Sequence, residues 1–401
     1  MRRIKALFIN DTDGRENVGC RLTSRLLKQN LTQAFALNGL ELQLIPAPWR
    51  FGRSVGIQIA SRFLMADMRK PSLAGMKALA AHEYGEYCVR TLGSYDLAIF
   101  QPEGTVNEWD GPMRILRLLS LPLLFGKAYT APLITINGTF PLFSDERSQL
   151  IKTLMHWSAH FSVRDQFSAE AYKVNFVPDA ACSWQRTNIK PLSDRTHLLI
   201  TTSAGLNRQA NIETARRAID YCKHSGLLPL VLTKQWQDLL PLRDTVLELG
   251  GEFCYHEELE DAAKKISKCR LHIGGRYHMA ILCACMDVPS FLVAANTHKN
   301  EWLARDSQGI ALIANTGPIA ETIKVELQKL SHGDVMQGMR QLGEKHTLEV
   351  SKFAELFSLG QLTKVSTKDA SSHEFNELNT CWPGGSKQLI QRTLSGLRNK
   401  S

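Results

Sequence analysis

The sequence predicts an α/β protein built from two doubly wound halves that face each other across a cleft. Three observations predict it. Short apolar runs alternate with helical stretches from Ile4 to Trp157, and again from His197 to Leu303. Strands joined by helices in this way pair in parallel, and the sheets they form are covered by those helices. A polar stretch from Ser183 to Arg195, containing Pro191, separates the two series and reads as a linker. Residues 1–190 are therefore expected to form an N-terminal Rossmann-like domain, residues 191–330 a second one, and residues 331–401 a C-terminal helical extension.

Composition narrows the class. The 401 residues suffice for two domains of ordinary size. Hydrophobic residues make up 44% and charged residues 22%, as in a soluble globular chain. The net charge of +9 could serve nucleic acid, an anionic membrane surface or an anionic substrate; without a run of five basic residues a mildly basic enzyme is favoured, and no nucleic-acid partner is expected. Nine scattered cysteines without a Cys-x-x-Cys pair imply a reducing compartment and no structural zinc. Met1-Arg2-Arg3 runs directly into the strand-like IKALFIN, so no signal peptide is expected, and no window of 18 apolar residues could span a membrane. The expected location is cytoplasmic.

In chain order, Ile4 to Asn10 is the first strand. A polar loop, DTDGRENVGC, leads into a helix from Arg21 to Leu37 that Gly39 can cap. The G-x-G-x-x-G fingerprint is missing, so dinucleotide binding is not supported. Glu41 to Ala47 is the second strand. Residues 55–93 are mainly helical, and His82, Glu83, Tyr84 and Tyr87 fall at helical spacing. They read as a solvated face in preference to a sugar site. Asp96 to Pro102 is the third strand. Glu103, at its carboxyl end, suits a base acting on a sugar hydroxyl; the competing reading is a surface carboxylate. Met113 to Phe125 is helical, Pro132 to Asn137 is a strand, and Ser144 to Trp157 is helical. The second half repeats the pattern with strands at His197–Thr202, Leu227–Thr233 and Glu252–His256. Helices at Asn211–His224 and Gln235–Leu249 lie between them.

The stretch Lys268 to Leu303 carries the densest chemistry. Cys269 to Ile273 and Val288 to Ala295 read as strands; Arg276 to Met286 and Thr297 to Ala304 read as helices. Ligands of parallel sheets sit beyond the carboxyl ends of the strands. Gly274-Gly275-Arg276-Tyr277-His278 and Asn296-Thr297-His298-Lys299 both fall there. A helix N-terminus attracts an anion, Arg276 can grip a carboxylate or phosphate, Lys299 adds charge, and His278 can move a proton. The sum is an anion site with an acid/base group beside it.

The spacing of Arg276, His278, Pro289 and Lys299 resembles that of the polysaccharide pyruvyl transferases. Weaker likenesses are Asn17-Val18-Gly19-Cys20, Val163-Arg164-Asp165 with Ser168, and Pro178-Asp179. The segment Gln101-Pro102-Glu103-Gly104-Thr105 departs from the run of glycines that the family often has there. The resemblance implies a GT-B-like pair of domains. It also implies transfer of pyruvate from phosphoenolpyruvate to two hydroxyls of one sugar as a ketal, with phosphate released. Arg164, Arg276 and Lys299 would hold the donor and His278 would handle the proton. Asn17 and Asn137 complete the substrate-binding candidates. No cofactor and no metal are expected. The acceptor would be an oligosaccharide or lipid-linked saccharide in cell-surface or exopolysaccharide synthesis. A GT-B glycosyltransferase using a nucleotide sugar, and a non-catalytic carbohydrate-binding relative, are the alternatives.

Beyond Gly309, Pro318 to Leu330 and Asp334 to Leu356 read as helices, and Thr363 to Asn379 as loop. Gln388 to Arg398 reads as a basic amphipathic helix. It is expected to pack on the protein rather than to make a peripheral contact at the inner face of the membrane.

Overall fold

Strands buried along their whole length, such as Leu97–Phe100 and Leu133–Gly138, must be covered on both faces, and that requirement sets the architecture. A computed structural model describes residues 1–50, 73–185, 191–234, 236–255, 257–314, 316–331 and 333–362. Strands β1 (Arg2–Ile9), β2 (Leu40–Ala47), β3 (Leu97–Phe100), β4 (Leu133–Gly138), β5 (His160–Val163) and β6 (Asn175–Phe176) form one parallel sheet, in the order β2-β1-β3-β4-β5-β6. Strands β7 (His197–Ile200), β8 (Leu228–Thr233), β9 (Glu252–Tyr255), β10 (Cys269–Gly274), β11 (Ser290–Leu292) and β12 (Ile310–Leu312) form the other, in the order β12-β11-β10-β7-β8-β9.

Each order reverses once. In the first sheet the reversal lies between β1 and β3, and in the second between β7 and β10. A reversal splays the connecting segments apart at the carboxyl edge and opens a crevice there. Thr12, Glu103 and Gly104 lie just beyond the first switch point. Thr202, Gly275 and Arg276 lie just beyond the second. Both crevices open into the same cleft between the sheets.

Two long helices tie the halves together. The Val18–Leu37 helix buries Leu27, Leu31 and Phe35 against the first sheet, while its first turn puts Val18 and Leu22 into the core of the second domain, with Tyr277 and Ala280. The Asp334–Ser358 helix does the converse. Val335 and Met339 join the second core, and Val350, Phe353 and Phe357 join the first, where Phe353 meets the Phe35 ring edge-on at 5.6 Å. This helix thus returns to the first domain; the segment Gln388–Arg398 lies outside the described residues. Among the described residues no helix is long and apolar enough to cross a membrane.

One expected face is different. Glu83 and Tyr84 are buried rather than solvated: Glu83 accepts from Trp49 and Arg117, and the Tyr84 hydroxyl donates to the Leu118 carbonyl. Buried polar groups need such partners, and these are supplied from elements far along the chain.

Candidate active site

The cleft has a volume of about 220 Å³. Two helices aim their first turns into it, the Val18–Leu37 helix of the first domain and the Tyr277–Ala284 helix of the second. The first is capped by Asn17, whose side chain accepts from the Gly19 amide. The second has no side-chain cap. Free N–H groups and two positive dipole ends therefore face one space.

Three cations from two domains complete it. Arg164 follows β5, Arg276 follows β10, and Lys299 opens the helix after β11. Gly104 separates two of them: a Cβ there would lie 3.1 Å from both Arg164 Nη2 and Lys299 Nζ. The missing side chain leaves room where those charges converge. Arg276 donates to the Thr202 hydroxyl through Nε and Nη2, at 3.3 and 3.0 Å. Lys299 donates to the Asn296 amide oxygen and is buried. Burial first, then the charges of Arg164 and Arg276, push the Lys299 ammonium down to about 7. Among the described residues neither Arg276 nor Lys299 has an ion-pair partner.

Arg164 is held differently. It is fully buried, donates to Thr139 at 3.1 Å, and pairs with buried Asp179 at 2.5 Å. Its guanidinium also lies over the Tyr277 ring, 4.9 Å from the centroid. Burial would raise the Asp179 carboxyl, but Arg164 and then His278 hold it far below the usual carboxylate range. Asp165, next to Arg164 in the chain, pairs with His298 of the second domain at 2.8 Å.

His278 Nε2 lies 2.9 Å from Arg164 Nη1 and 3.2 Å from Asp179 Oδ2. Arg164 can only donate and ionised Asp179 can only accept. The ring nitrogen therefore bonds Asp179 when it carries a proton and Arg164 when it does not. Gaining or losing that proton exchanges one partner for the other without moving the ring.

Glu103 lines the same cleft and is buried, not a surface carboxylate. It accepts from the Thr12 hydroxyl at 2.5 Å. Its φ of +50° is rare for a residue with a side chain, and such strain costs about 1–3 kcal/mol. The bridge to Gly138 and the bond from the Thr139 amide to the Glu103 carbonyl, 2.7 Å, hold it there.

The cleft thus gathers Asn17, Glu103, Arg164, Arg276, His278 and Lys299. Asn137 is the exception. It lies beneath the cleft, fully buried, with its amide donating to Thr23 and Gln101 and its oxygen accepting from the Ala180 amide. Those bonds fix the end of β4, so Asn137 is corrected from a substrate contact to a support. Sequence reading left Asp179, Thr202 and Gly104 without roles; of these, only the Pro178-Asp179 likeness carried a signal. Among the described residues no group of three or more His, Cys, Asp or Glu is placed to hold a metal.

One comparison shows the family and another the fold. The family model for polysaccharide pyruvyl transferase matches residues 17–297. No curated protein matches the chain. Among solved structures, the UDP-GlcNAc 2-epimerase of Neisseria meningitidis bound to UDP-GlcNAc aligns with 90% of this chain and 100% of its own, at TM-score 0.53 and 7% identity. S. aureus MnaA, in a co-structure with UDP, aligns over 90% and 98% at TM-score 0.52 and 10% identity. The spinosyn rhamnosyltransferase SpnG aligns over 88% and 99% at TM-score 0.50 and 10% identity. At these identities the likeness is one of fold, and that fold is GT-B-like.

Proposed function

The chain belongs to the polysaccharide pyruvyl transferase family, and from that premise we propose that it moves pyruvate from phosphoenolpyruvate onto two hydroxyls of one sugar. One observation carries the reading. Arg164, Arg276 and Lys299 converge from two domains on a cleft that two helix N-termini also face. Arg164 shares its charge with Asp179, but Arg276 and Lys299 have no ion-pair partner among the described residues, and two such groups suit a donor with both a carboxylate and a phosphate.

The chemistry follows from the donor. The methylene carbon of the enol takes a proton and becomes the methyl group. The neighbouring carbon becomes cationic, and one sugar hydroxyl attacks it and loses its proton. The bond from that carbon to the phosphate oxygen breaks, phosphate leaves, and the second hydroxyl closes the ketal. The two hydroxyl protons balance the one gained by the methyl group and the one carried off with phosphate. His278, with its exchangeable partners, is the proton carrier, and Glu103 takes a proton from the sugar. The three cations stabilise the phosphate as it departs.

The acceptor is then a saccharide, free or lipid-linked, in cell-surface or exopolysaccharide synthesis, and the setting cytoplasmic or at the inner face of a membrane. No cofactor beyond the donor substrate is invoked. The test is incubation of the protein with phosphoenolpyruvate and candidate oligosaccharides. A pyruvyl ketal gained by mass spectrometry, with equimolar inorganic phosphate, is the expected result. Release of a nucleoside diphosphate from a nucleotide sugar instead would replace this reading with the glycosyltransferase one.

A further inference from the structure

The donor cleft is small. Its volume of about 220 Å³ lies below the roughly 300–1,000 Å³ of pockets that enclose a whole ligand. Sugar units beyond the one being modified must therefore lie outside it, against whatever the cleft mouth presents. The loop after β3, whose Glu103, Gly104 and Thr105 line the cleft, carries Trp109, which is 62% exposed, whereas Trp49, Trp157 and Trp302 are buried.

The backbone around that indole is fixed. The Asn107 amide donates to Asp110 Oδ2 at 2.8 Å, and the Asp110 amide to the Asn107 carbonyl at 3.0 Å. Arg147 donates to the Glu108 carbonyl at 2.5 Å and the Asp110 carbonyl at 3.1 Å, one on each side of Trp109. Arg147 is in turn stacked over Phe143, 4.1 Å from the ring centroid, and next to it Leu142 is 56% exposed. An exposed tryptophan on a pinned loop loses little freedom when something stacks on it.

The loop also touches the donor site. Asn107 accepts from the Asn296 side chain, and Asn296 accepts from Lys299. Two residues span at most about 7 Å, so the Trp109 backbone lies within that distance of the Asn107 backbone, whose side chain makes the contact. A sugar ring offers an apolar, slightly positive C–H face, and the indole offers a broad face of negative charge.

We propose that Trp109 is the stacking platform of an acceptor subsite, taking a neutral sugar unit next to the one that enters the cleft. The proposal rests on the reading of the cleft as the donor site and adds the class of ligand at its mouth.

The test uses the full chain on an array of immobilised oligosaccharides of increasing length, with Trp109→Ala and Trp109→Phe beside it. Wild type should bind some of these, more tightly as length grows past one sugar. Trp109→Ala should weaken that binding on the order of tenfold, and Trp109→Phe should restore most of it. Phosphoenolpyruvate affinity, measured by calorimetry on the same proteins, should stay within about a factor of two of wild type. Absence of saccharide binding by wild type, or equal binding by Trp109→Ala, overturns the platform. Length-dependent saccharide binding lost in Trp109→Ala without any phosphoenolpyruvate binding would retain the platform and remove the donor reading.

Discussion

The His278 side chain rests directly on Gly19 of the first domain. A Cβ on Gly19 would lie 2.4 Å from His278 Cβ and 2.9 Å from Cγ, closer than atoms can pack. The two domains therefore pack closely beside the group proposed to carry the proton.

Gly19→Ala should displace that imidazole or part the domains. Overpacking of this kind costs about 1–3 kcal/mol, and misplacement by about 1 Å near the chemistry can cost about a hundredfold in rate. Thermal unfolding and steady-state kinetics of the variant would check it. Wild-type turnover would mean that the contact opens in the working enzyme.

Lys299 should make donor binding depend on pH. With its ammonium pushed down to about 7, the free protein loses this charge as pH rises above neutrality. An anion between Lys299, Arg164 and Arg276 favours the charged form, so binding takes up a proton. Affinity for phosphoenolpyruvate should be flat below pH 7 and fall about tenfold per pH unit above it. Calorimetry at pH 8 in two buffers of different ionisation enthalpy should find close to one proton taken up, and Lys299→Met should abolish that uptake. The sign for stability is opposite. The folded value lies below the unfolded 10.5, so the cost of burying the charge is fully present below pH 7 and relieved as pH rises toward 10.5.

Much of this was legible in the sequence. Apolar runs of strand length separated by helical stretches gave two parallel sheets, because strands buried on both faces have few other arrangements. Arg276, His278 and Lys299 sit close together in sequence, and their strand ends place them on one edge. Asp179 was not legible as the partner of Arg164 and His278. It is fifteen residues from one and ninety-nine from the other, and only the meeting of the domains brings His278 to it. Asn137 looked like an edge residue, but the positive φ of 64° at the end of β4 turns it under the cleft. The burial of Glu83 depends on Trp49 and Arg117, each thirty-four residues away, which no local pattern reveals.

Asp179→Asn should cost stability before it costs anything else. It strands the fully buried Arg164 guanidinium, and breaking a buried pair costs about 3–5 kcal/mol. The Asp179 carboxyl is held far below its ordinary 3.8, so its contribution is present above that pH and fades as pH falls below it. Denaturant unfolding should find wild type and variant well apart at pH 7 and converging in acid. A constant gap would mean that the pair is not what separates them.

His278→Gln addresses the proton. The glutamine amide can still donate to Asp179 or accept from Arg164 by turning over, but it cannot exchange a proton near neutrality. If His278 shuttles the proton, turnover should fall on the order of 100- to 10,000-fold while phosphoenolpyruvate affinity changes little. If it only helps to bind phosphate, the Michaelis constant should rise with turnover nearly unchanged. The geometry bears on the choice, because His278 Nε2 is taken in either state, by Asp179 when it carries a proton and by Arg164 when it does not. A group so occupied has less to offer a phosphate than Lys299, whose only hydrogen bond among the described residues is to Asn296. Steady-state kinetics with phosphoenolpyruvate varied at saturating acceptor should therefore give the turnover defect, and a defect confined to the Michaelis constant would assign His278 to binding instead.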